Sequence, residues 1–228
     1  MLKKRTKIYL LLAVFLLVVG GFFVWWWQGQ QSQKKVDWDN PDYVFDIKIP
    51  DDFDQTKIDR VQLKITEARK AYAEKKEDNY TWDIIGNLYE FVRDYDRALV
   101  VYKKSFEMQP KDIIAILNIG TIYEEQKKDY KEAEKYYSQA VVIFPQMVDV
   151  YDRLANLYWH KMNQLDQAET TYIQGIEATS GKPDLIVSLI NFYGQTEQIE
   201  KQKATAKKLL ELYPDNELYK KDFGDLAK

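Results

Sequence analysis

The chain has 228 residues, 46% hydrophobic and 30% charged, a composition that can fill a packed core and excludes general disorder. Four of its 33 Lys and Arg residues (Lys3, Lys4, Arg5 and Lys7) precede residue 28, which leaves 29 basic against 36 acidic side chains, a net of −7; such a balance argues against nucleic acid as the main partner, because phosphate binding needs clustered cations. Cysteine is absent and His160 is the single histidine, so disulfides, thiolate metal sites, Cys nucleophiles and two-histidine metal motifs are all excluded.

The basic residues 1–7 lead into residues 8–27, IYLLLAVFLLVVGGFFVWWW, which carry no charge. Twenty helical residues span roughly 30 Å, the thickness of a bilayer hydrocarbon core. Trp25, Trp26 and Trp27 suit the lipid–water interface at one end, and the cations before residue 8 resist translocation at the other. The segment therefore predicts a transmembrane helix with the N-terminus in the cytoplasm and the remaining chain across the membrane. A cleaved signal peptide is the competing reading, but Gly20-Gly21 is followed by bulky FFVWWW, a poor peptidase site. A signal-anchor in a bacterial cytoplasmic membrane fits best.

Residues 28–54 form a linker. Its first part is polar and Gln-rich, the composition of a flexible tether. Phe45, Ile47 and Ile49 then alternate with Asp46 and Lys48 at the period of a strand, ended by Pro50. No partner strand is evident, so the segment reads as extended chain laid on a helical domain, with a strand offered to a partner's sheet as the alternative. Residues 55–78 hold a leading helix, with Ile58, Val61, Ile65, Ala68 and Tyr72 as its apolar stripe.

Self-similarity dominates the rest. Tyr89, Tyr123, Tyr158 and Tyr193 recur at spacings of 34, 35 and 35; Ala98, Ala133 and Ala168, and likewise Tyr102, Tyr137 and Tyr172, recur at 35. Gly86, Gly120 and Ala155 keep the same step, and Pro110 and Pro145 are 35 apart. Each unit reads as two helices. In the first, Trp82, Ile85, Leu88, Tyr89 and Val92 form one stripe, Arg93 to Asp96 the turn, and Ala98, Val101, Tyr102, Ser105 and Phe106 the next. Pro110 stops the second helix. The small residues mark where paired helix axes cross, and the tyrosines fill the space beside them.

The motif Trp82-x2-Ile85-Gly86-x2-Tyr89, Ala98-x3-Tyr102, Pro110 resembles the signature of the tetratricopeptide repeat family. Ile116-x2-Ile119-Gly120-x2-Tyr123, Ala133-x3-Tyr137, Pro145 and Tyr151-x2-Leu154-Ala155-x2-Tyr158, Ala168-x3-Tyr172 repeat it, the last with Ser180 in place of proline. The second and third units carry one extra residue, expected in the inter-helix turn near Lys127–Tyr130 and Met162–Leu165. The fourth keeps Leu189, Tyr193 and Pro214 but has Gln202 where alanine is usual. The resemblance implies an all-α helix-turn-helix solenoid with units 79–112, 113–147, 148–182 and 183–216. The leading helix flanks it on one side and a capping helix within 217–228, using Leu218, Tyr219 and Phe223, on the other.

What the resemblance implies about function is protein or peptide binding on a concave face built from the first helix of each pair. Its second, fifth, ninth and twelfth positions map to Tyr80, Asp83, Asn87 and Glu90; Ile114, Leu117, Thr121 and Glu124; Asp149, Asp152, Asn156 and Trp159; and Asp184, Val187, Asn191 and Gly194. The expected groove residues are Asp83, Asn87, Glu90, Leu117, Thr121, Glu124, Asp152, Asn156, Trp159 and Asn191. The amides suit an extended backbone, Trp159 an apolar anchor, and the carboxylates basic ligand side chains. One subfamily grips C-terminal carboxylates with Lys, Asn, Asn, Lys and Arg. The corresponding residues here are Asp83, Asn87, Asn118, Asp149 and Arg153; both lysines are aspartates, so no such binding is expected. No catalytic constellation, phosphate loop, metal motif or cofactor signature appears, and neither an enzyme nor a small-molecule substrate is expected. The reading is a membrane-tethered interaction scaffold; the alternative is a structural component of a cell-envelope complex.

Overall fold

The computed structural model describes residues 36–228, so the apolar stretch 8–27 and the start of the linker lie outside the described residues. Among the described residues no helix is long and apolar enough to cross a membrane. The residues up to Asp46 and those from Ile47 onward form separate compact units. In the first, α1 (Pro41–Val44) is a single turn whose N-cap, Asn40, accepts from the backbone N–H groups of Asp42 and Tyr43. Phe45 closes that turn, and residues 46–50 have no regular structure. The alternation over 45–49 thus makes no strand: the Asn40 cap with Pro41 at N1 winds its start into a helix, and no second strand is present among the described residues to pair the remainder.

From Gln55 on, the second unit is a run of helices: α2 (Gln55–Lys75), then pairs α3 (Asn79–Phe91) with α4 (Tyr95–Met108), α5 (Ile113–Thr121) with α6 (Tyr130–Ile143), α7 (Val148–Asn156) with α8 (Leu165–Ala178), and α9 (Pro183–Gln195) with α10 (Ile199–Leu212), closed by α11 (Glu217–Phe223). Each helix packs on its neighbours in sequence, and α9 also touches α7, the first helix of the preceding pair. Val61, Ala68 and Tyr72 of α2 are buried, with the Tyr72 ring edge-on to Trp82 at 6.0 Å. In α11, Tyr219 meets Tyr213 edge-on at 5.9 Å. Leu218, expected in the stripe of that closing helix, is instead 60% exposed, because Tyr219, one position on, is the residue that α11 turns toward Tyr213.

Aspartates start the early helices. Asp54, Asp78, Asp94, Asp112 and Asp129 each accept a backbone N–H from the first turn, at 2.8 Å for Lys57 and 2.9 Å for Ile114. Such caps each contribute about 1 kcal/mol. From α7 onward the caps are Met147, Gln164, Lys182 and Gln198, without a side-chain bond; only α11 regains one, from Asn216.

All four inter-helix turns have one geometry. Arg93, Lys128, Asn163 and Glu197 stand at φ 63°, 53°, 53° and 59°. The next residue returns its N–H to the carbonyl of the repeat tyrosine: Asp94 to Tyr89, Asp129 to Tyr123, Gln164 to Tyr158 and Gln198 to Tyr193, at 2.8–2.9 Å. The extra residue of the second and third units is therefore not in the turn, where sequence placed it. It is absorbed just before, in π-helical turns over Ile122–Lys127 and Leu157–Lys161 that continue α5 and α7. Widening one helical turn costs little, whereas the turn itself is fixed by its left-handed residue and its cap.

The core lies where the small residues and tyrosines meet. Tyr102 and Tyr137 are fully buried, and a Cβ on Gly86 would stand 2.5 Å from Cε1 of Tyr102. Glycine is required there for close approach, as Gly120 is against Tyr137. The fourth pair inverts the arrangement: Ile190 stands at the glycine position and Ala206 at the tyrosine position, both buried. Bulk has moved from one helix to the other, which explains why the motif fades there while the helix pair persists.

Candidate functional site

The first helices α3, α5, α7 and α9 carry the candidate groove residues. Asn87 and Asn191 are exposed; Glu90, Leu117, Thr121, Glu124, Asp152, Asn156 and Trp159 are half-buried. Tyr80 and Ile114, at the second position of their units, are 58% and 40% exposed. Asp83 is the exception. It is 1% exposed, enclosed beside Asp112 and Ser105, and does not line a groove. The helical turn that begins at Asp78 rotates it inward, where Trp82 and Ile85 also point.

Asp83 belongs to a buried polar cluster at the junction of the first two repeats. Ser105 donates to Asp112 Oδ2 at 2.8 Å and Asn79 to the same oxygen at 2.9 Å, while Asp112 Oδ1 caps α5. These donors outweigh burial and hold the Asp112 carboxyl below its ordinary range. Asp83 receives less: its Oδ1 has no hydrogen-bond partner. Burial, reinforced by the neighbouring Asp112 charge, pushes it up to about 7.

The second helices reach the groove through their tyrosines. Tyr102 donates to Asn87 Oδ1 at 2.6 Å and lies 3.0 Å from Glu90 Oε2. Tyr137 donates to Glu124 Oε2 at 2.9 Å and sits 3.2 Å from the Thr121 hydroxyl. Tyr172 donates to Asn156 Oδ1 at 3.1 Å. Burial pushes all three phenols up and raises Glu124 as well, so each hydroxyl keeps its proton and acts as a donor. A second tyrosine series ties successive repeats together on α6 and α8: Tyr158 donates to Glu134 at 2.7 Å and Tyr193 to Glu169 at 2.8 Å.

The groove-side residues are also linked between repeats. Asn118 Nδ2 lies 3.5 Å from Asn87 Oδ1, Arg153 Nη1 donates to Thr121 Oγ1 at 3.2 Å, and Ser188 donates to Asp152 Oδ1 at 2.8 Å. Asn118, Arg153 and Ser188 stand at one helical position, 35 residues apart, but differ in type, so no repeated residue marks them in the sequence. Asp149 pairs with Arg153 at 2.8 Å, which engages the guanidinium that a C-terminal carboxylate would need. Asp83, in the place of the first clamp lysine, is buried.

Trp159 stacks on His160 with ring centroids 3.9 Å apart and meets Phe192 edge-on at 5.2 Å. Burial and the Lys161 charge lower the His160 pKa. Both rings sit on the π-helical turn Leu157–Lys161. Lys161 reaches back to Glu125 on the preceding π-helical turn at 2.9 Å. Glu90 and Glu124 form no ion pair among the described residues, though the Lys161 and Arg153 charges act on Glu124. No cluster of three or more metal-ligating side chains occurs among the described residues.

A tetratricopeptide repeat model matches residues 80–112, 114–146 and 148–181. Among solved structures, the chain is similar to MamA, residues 41 to the end, from Desulfovibrio magneticus RS-1, at 16% identity and a TM-score of 0.51, covering 70% of this chain and 98% of that one. It is also similar to TTC0263, a thermophilic TPR protein of Thermus thermophilus, at 15% identity and a TM-score of 0.50, covering 76% and 96%. A comparison with curated proteins gave no match.

Proposed function

We propose, for a chain whose residues 80–181 are tetratricopeptide repeats, a role as a membrane-tethered scaffold. It holds an extended, basic segment of a partner protein on the face formed by α3, α5, α7 and α9. The observation that carries this reading is the chemistry of that face: Asn87 and Asn191 exposed, Glu90 and Glu124 half-buried and outside any ion pair among the described residues, with the Lys161 and Arg153 charges acting on Glu124, and the Trp159 ring half-buried. Amides can serve a peptide backbone, carboxylates draw cations, and an indole anchors an apolar side chain. The tether is residues 8–27, uncharged and preceded by four cations, which favours an N-terminus in the cytoplasm and the repeats outside, in a bacterial cytoplasmic membrane.

The test has two arms. Fluorescence anisotropy of the full chain in detergent, against labelled decapeptides alternating alanine with either lysine or glutamate, should show binding of the lysine peptide only. Preference for glutamate, or lysine binding unaffected by Trp159→Ala and Glu124→Gln, contradicts the groove. For the tether, protease added outside intact cells should digest the repeats; protection of the repeats contradicts the orientation, and recovery of the chain in the soluble fraction contradicts the anchor. A stoichiometric complex that survives detergent, in place of exchangeable peptide binding, would move the chain to a structural role in an envelope assembly.

A further inference from the structure

Three of the four repeats place a buried tyrosine on the second helix, and the fourth does not. Tyr102, Tyr137 and Tyr172 are 0%, 0% and 1% exposed, yet each extends its hydroxyl to residues of the groove face. A phenylalanine would fill the same space without a hydroxyl to satisfy, and a buried hydroxyl is costly unless it is bonded. In the fourth repeat Ala206 stands at the tyrosine position. There Asn191, the counterpart of Asn87 and Asn156, makes no side-chain hydrogen bond among the described residues.

The direction of these bonds follows from which partners can only accept or only donate. In the third repeat a carboxylate accepts, so Asn156 must turn Nδ2 to Asp152 Oδ2 at 2.9 Å, and its Oδ1 is left to take the Tyr172 proton. In the second, Arg153 only donates, so the Thr121 oxygen accepts from it. The Thr121 proton can then go to Tyr137, whose own proton goes to Glu124. In the first, Tyr102 has one proton for two acceptors and shares it between Asn87 Oδ1 at 2.6 Å and Glu90 Oε2 at 3.0 Å; Asn118 Nδ2, at 3.5 Å, also approaches Asn87 Oδ1, so Asn87 Nδ2 is the outward atom of this exposed side chain.

We propose that Tyr102, Tyr137 and Tyr172 are positioning residues of the groove. Their hydroxyls hold Oδ1 of Asn87 and Asn156 and one oxygen of Glu90 and Glu124, which leaves Asn87 Nδ2, and the one Asn156 N–H that Asp152 does not take, for a ligand. The face therefore offers N–H donors to the backbone carbonyls of a bound segment and a second carboxylate oxygen to its cations. Ordering these side chains beforehand removes an entropic cost that binding would otherwise meet. This inference rests on the groove reading above and adds what sets its polarity.

The experiment compares the full chain in detergent with its Tyr102→Phe and Tyr172→Phe variants, which keep the packed ring. Heteronuclear NMR of side-chain amides is recorded without ligand, with Asn191 as the internal reference for an unheld amide. Binding of the labelled lysine–alanine decapeptide is measured by anisotropy. In the wild type, Asn87 and Asn156 should give protected signals distinct from that of Asn191; each Tyr→Phe change should move its own asparagine toward the Asn191 behaviour. Affinity should fall about fivefold per variant, the cost of ordering one freed side chain. Tyr172→Phe should lower affinity no further in an Asn156→Ala background, because Tyr172 acts only through Asn156. A tyrosine with a merely structural role would lower the melting temperature, leave affinity unchanged and leave the asparagine signals in place, and that result overturns the proposal. If the wild-type chain does not bind the decapeptide, the groove reading falls; unmoved asparagine signals then overturn the tyrosine assignment too, and shifted ones uphold it.

Discussion

Exchanging bulk between the two helices of the first repeat tests how the array is packed. In Gly86→Ile the new Cβ would stand 2.5 Å from Cε1 and 2.7 Å from Cδ1 of Tyr102, with three further carbons beyond it. Tyr102 is fully buried and has nowhere to move, so the cost reaches the upper end of overpacking, about 3 kcal/mol. Tyr102→Ala leaves a cavity and costs about 4 kcal/mol, as large aromatic truncations do. Independent effects would sum to about 7 kcal/mol, a large part of the stability of a domain this size. The fourth repeat, however, already holds Ile190 and Ala206 at these two positions, both buried. The double variant should therefore lose only about 4 kcal/mol: about 2 for the Tyr102 hydroxyl bonds to Asn87 and Glu90 and about 2 for imperfect repacking. Urea unfolding of the full chain in detergent, followed by circular dichroism, would show a coupling of about 3 kcal/mol between the sites. A double variant destabilised by the sum of the singles would refute the claim that small residue and tyrosine share one space.

Asp83 should make stability depend on pH. Its folded pKa is raised to about 7 from 3.8, so the native state binds more protons than the unfolded one between these values. Stability should fall as pH rises from about 4 to about 7 and level off above, by about 4 kcal/mol in all. Asp83→Asn should flatten that difference in parallel urea titrations, and an unchanged slope would contradict it. The neighbouring Asp112 works in the opposite sense: its pKa is lowered, so its contribution is present above the unfolded value and lost as pH falls below it. Lys128 holds φ 53°, and Lys128→Gly should raise stability by about 0.5 kcal/mol, because the left-handed strain is relieved and part of the gain is returned as unfolded-chain entropy; a lower melting temperature would speak against it. Deleting Gln126 should restore the five-residue step from Tyr123 to the turn seen in the first and fourth repeats, leaving far-ultraviolet circular dichroism and the melting temperature near wild type, whereas loss of the helical signal would mean the π-helical turn is required for folding.

The helix pairs were legible because their packing demands identity at particular positions. Gly86 and Gly120 recur since nothing larger clears the tyrosine ring, and Ala98, Ala133 and Ala168 since they are fully enclosed. The location of the extra residue was not legible. One inserted residue shifts the spacing equally whether it enters the turn or the helix before it, and only the backbone bonds from Asp129 and Gln164 to the repeat tyrosines distinguish the two. Asp83 was misplaced for a related reason. A groove position assigned by helical register takes no account of the buried acceptor and donor, Asp112 and Ser105, brought in by α4 and the following loop. The tyrosine hydroxyls escaped because the recurrence of Tyr102, Tyr137 and Tyr172 is fully explained by their rings, and a repeat spacing carries no sign of where a phenolic oxygen points.

The most direct test of the groove is site-specific photocrosslinking in native membranes, with the crosslinker placed at Asn87, at Asn191 and, as control, at Val142, which is 79% exposed on α6, a second helix. The groove account predicts that positions 87 and 191 both label one contiguous segment of the partner that contains lysine or arginine, and that position 142 does not. Labelling of that segment from position 142, with positions 87 and 191 silent, would contradict it.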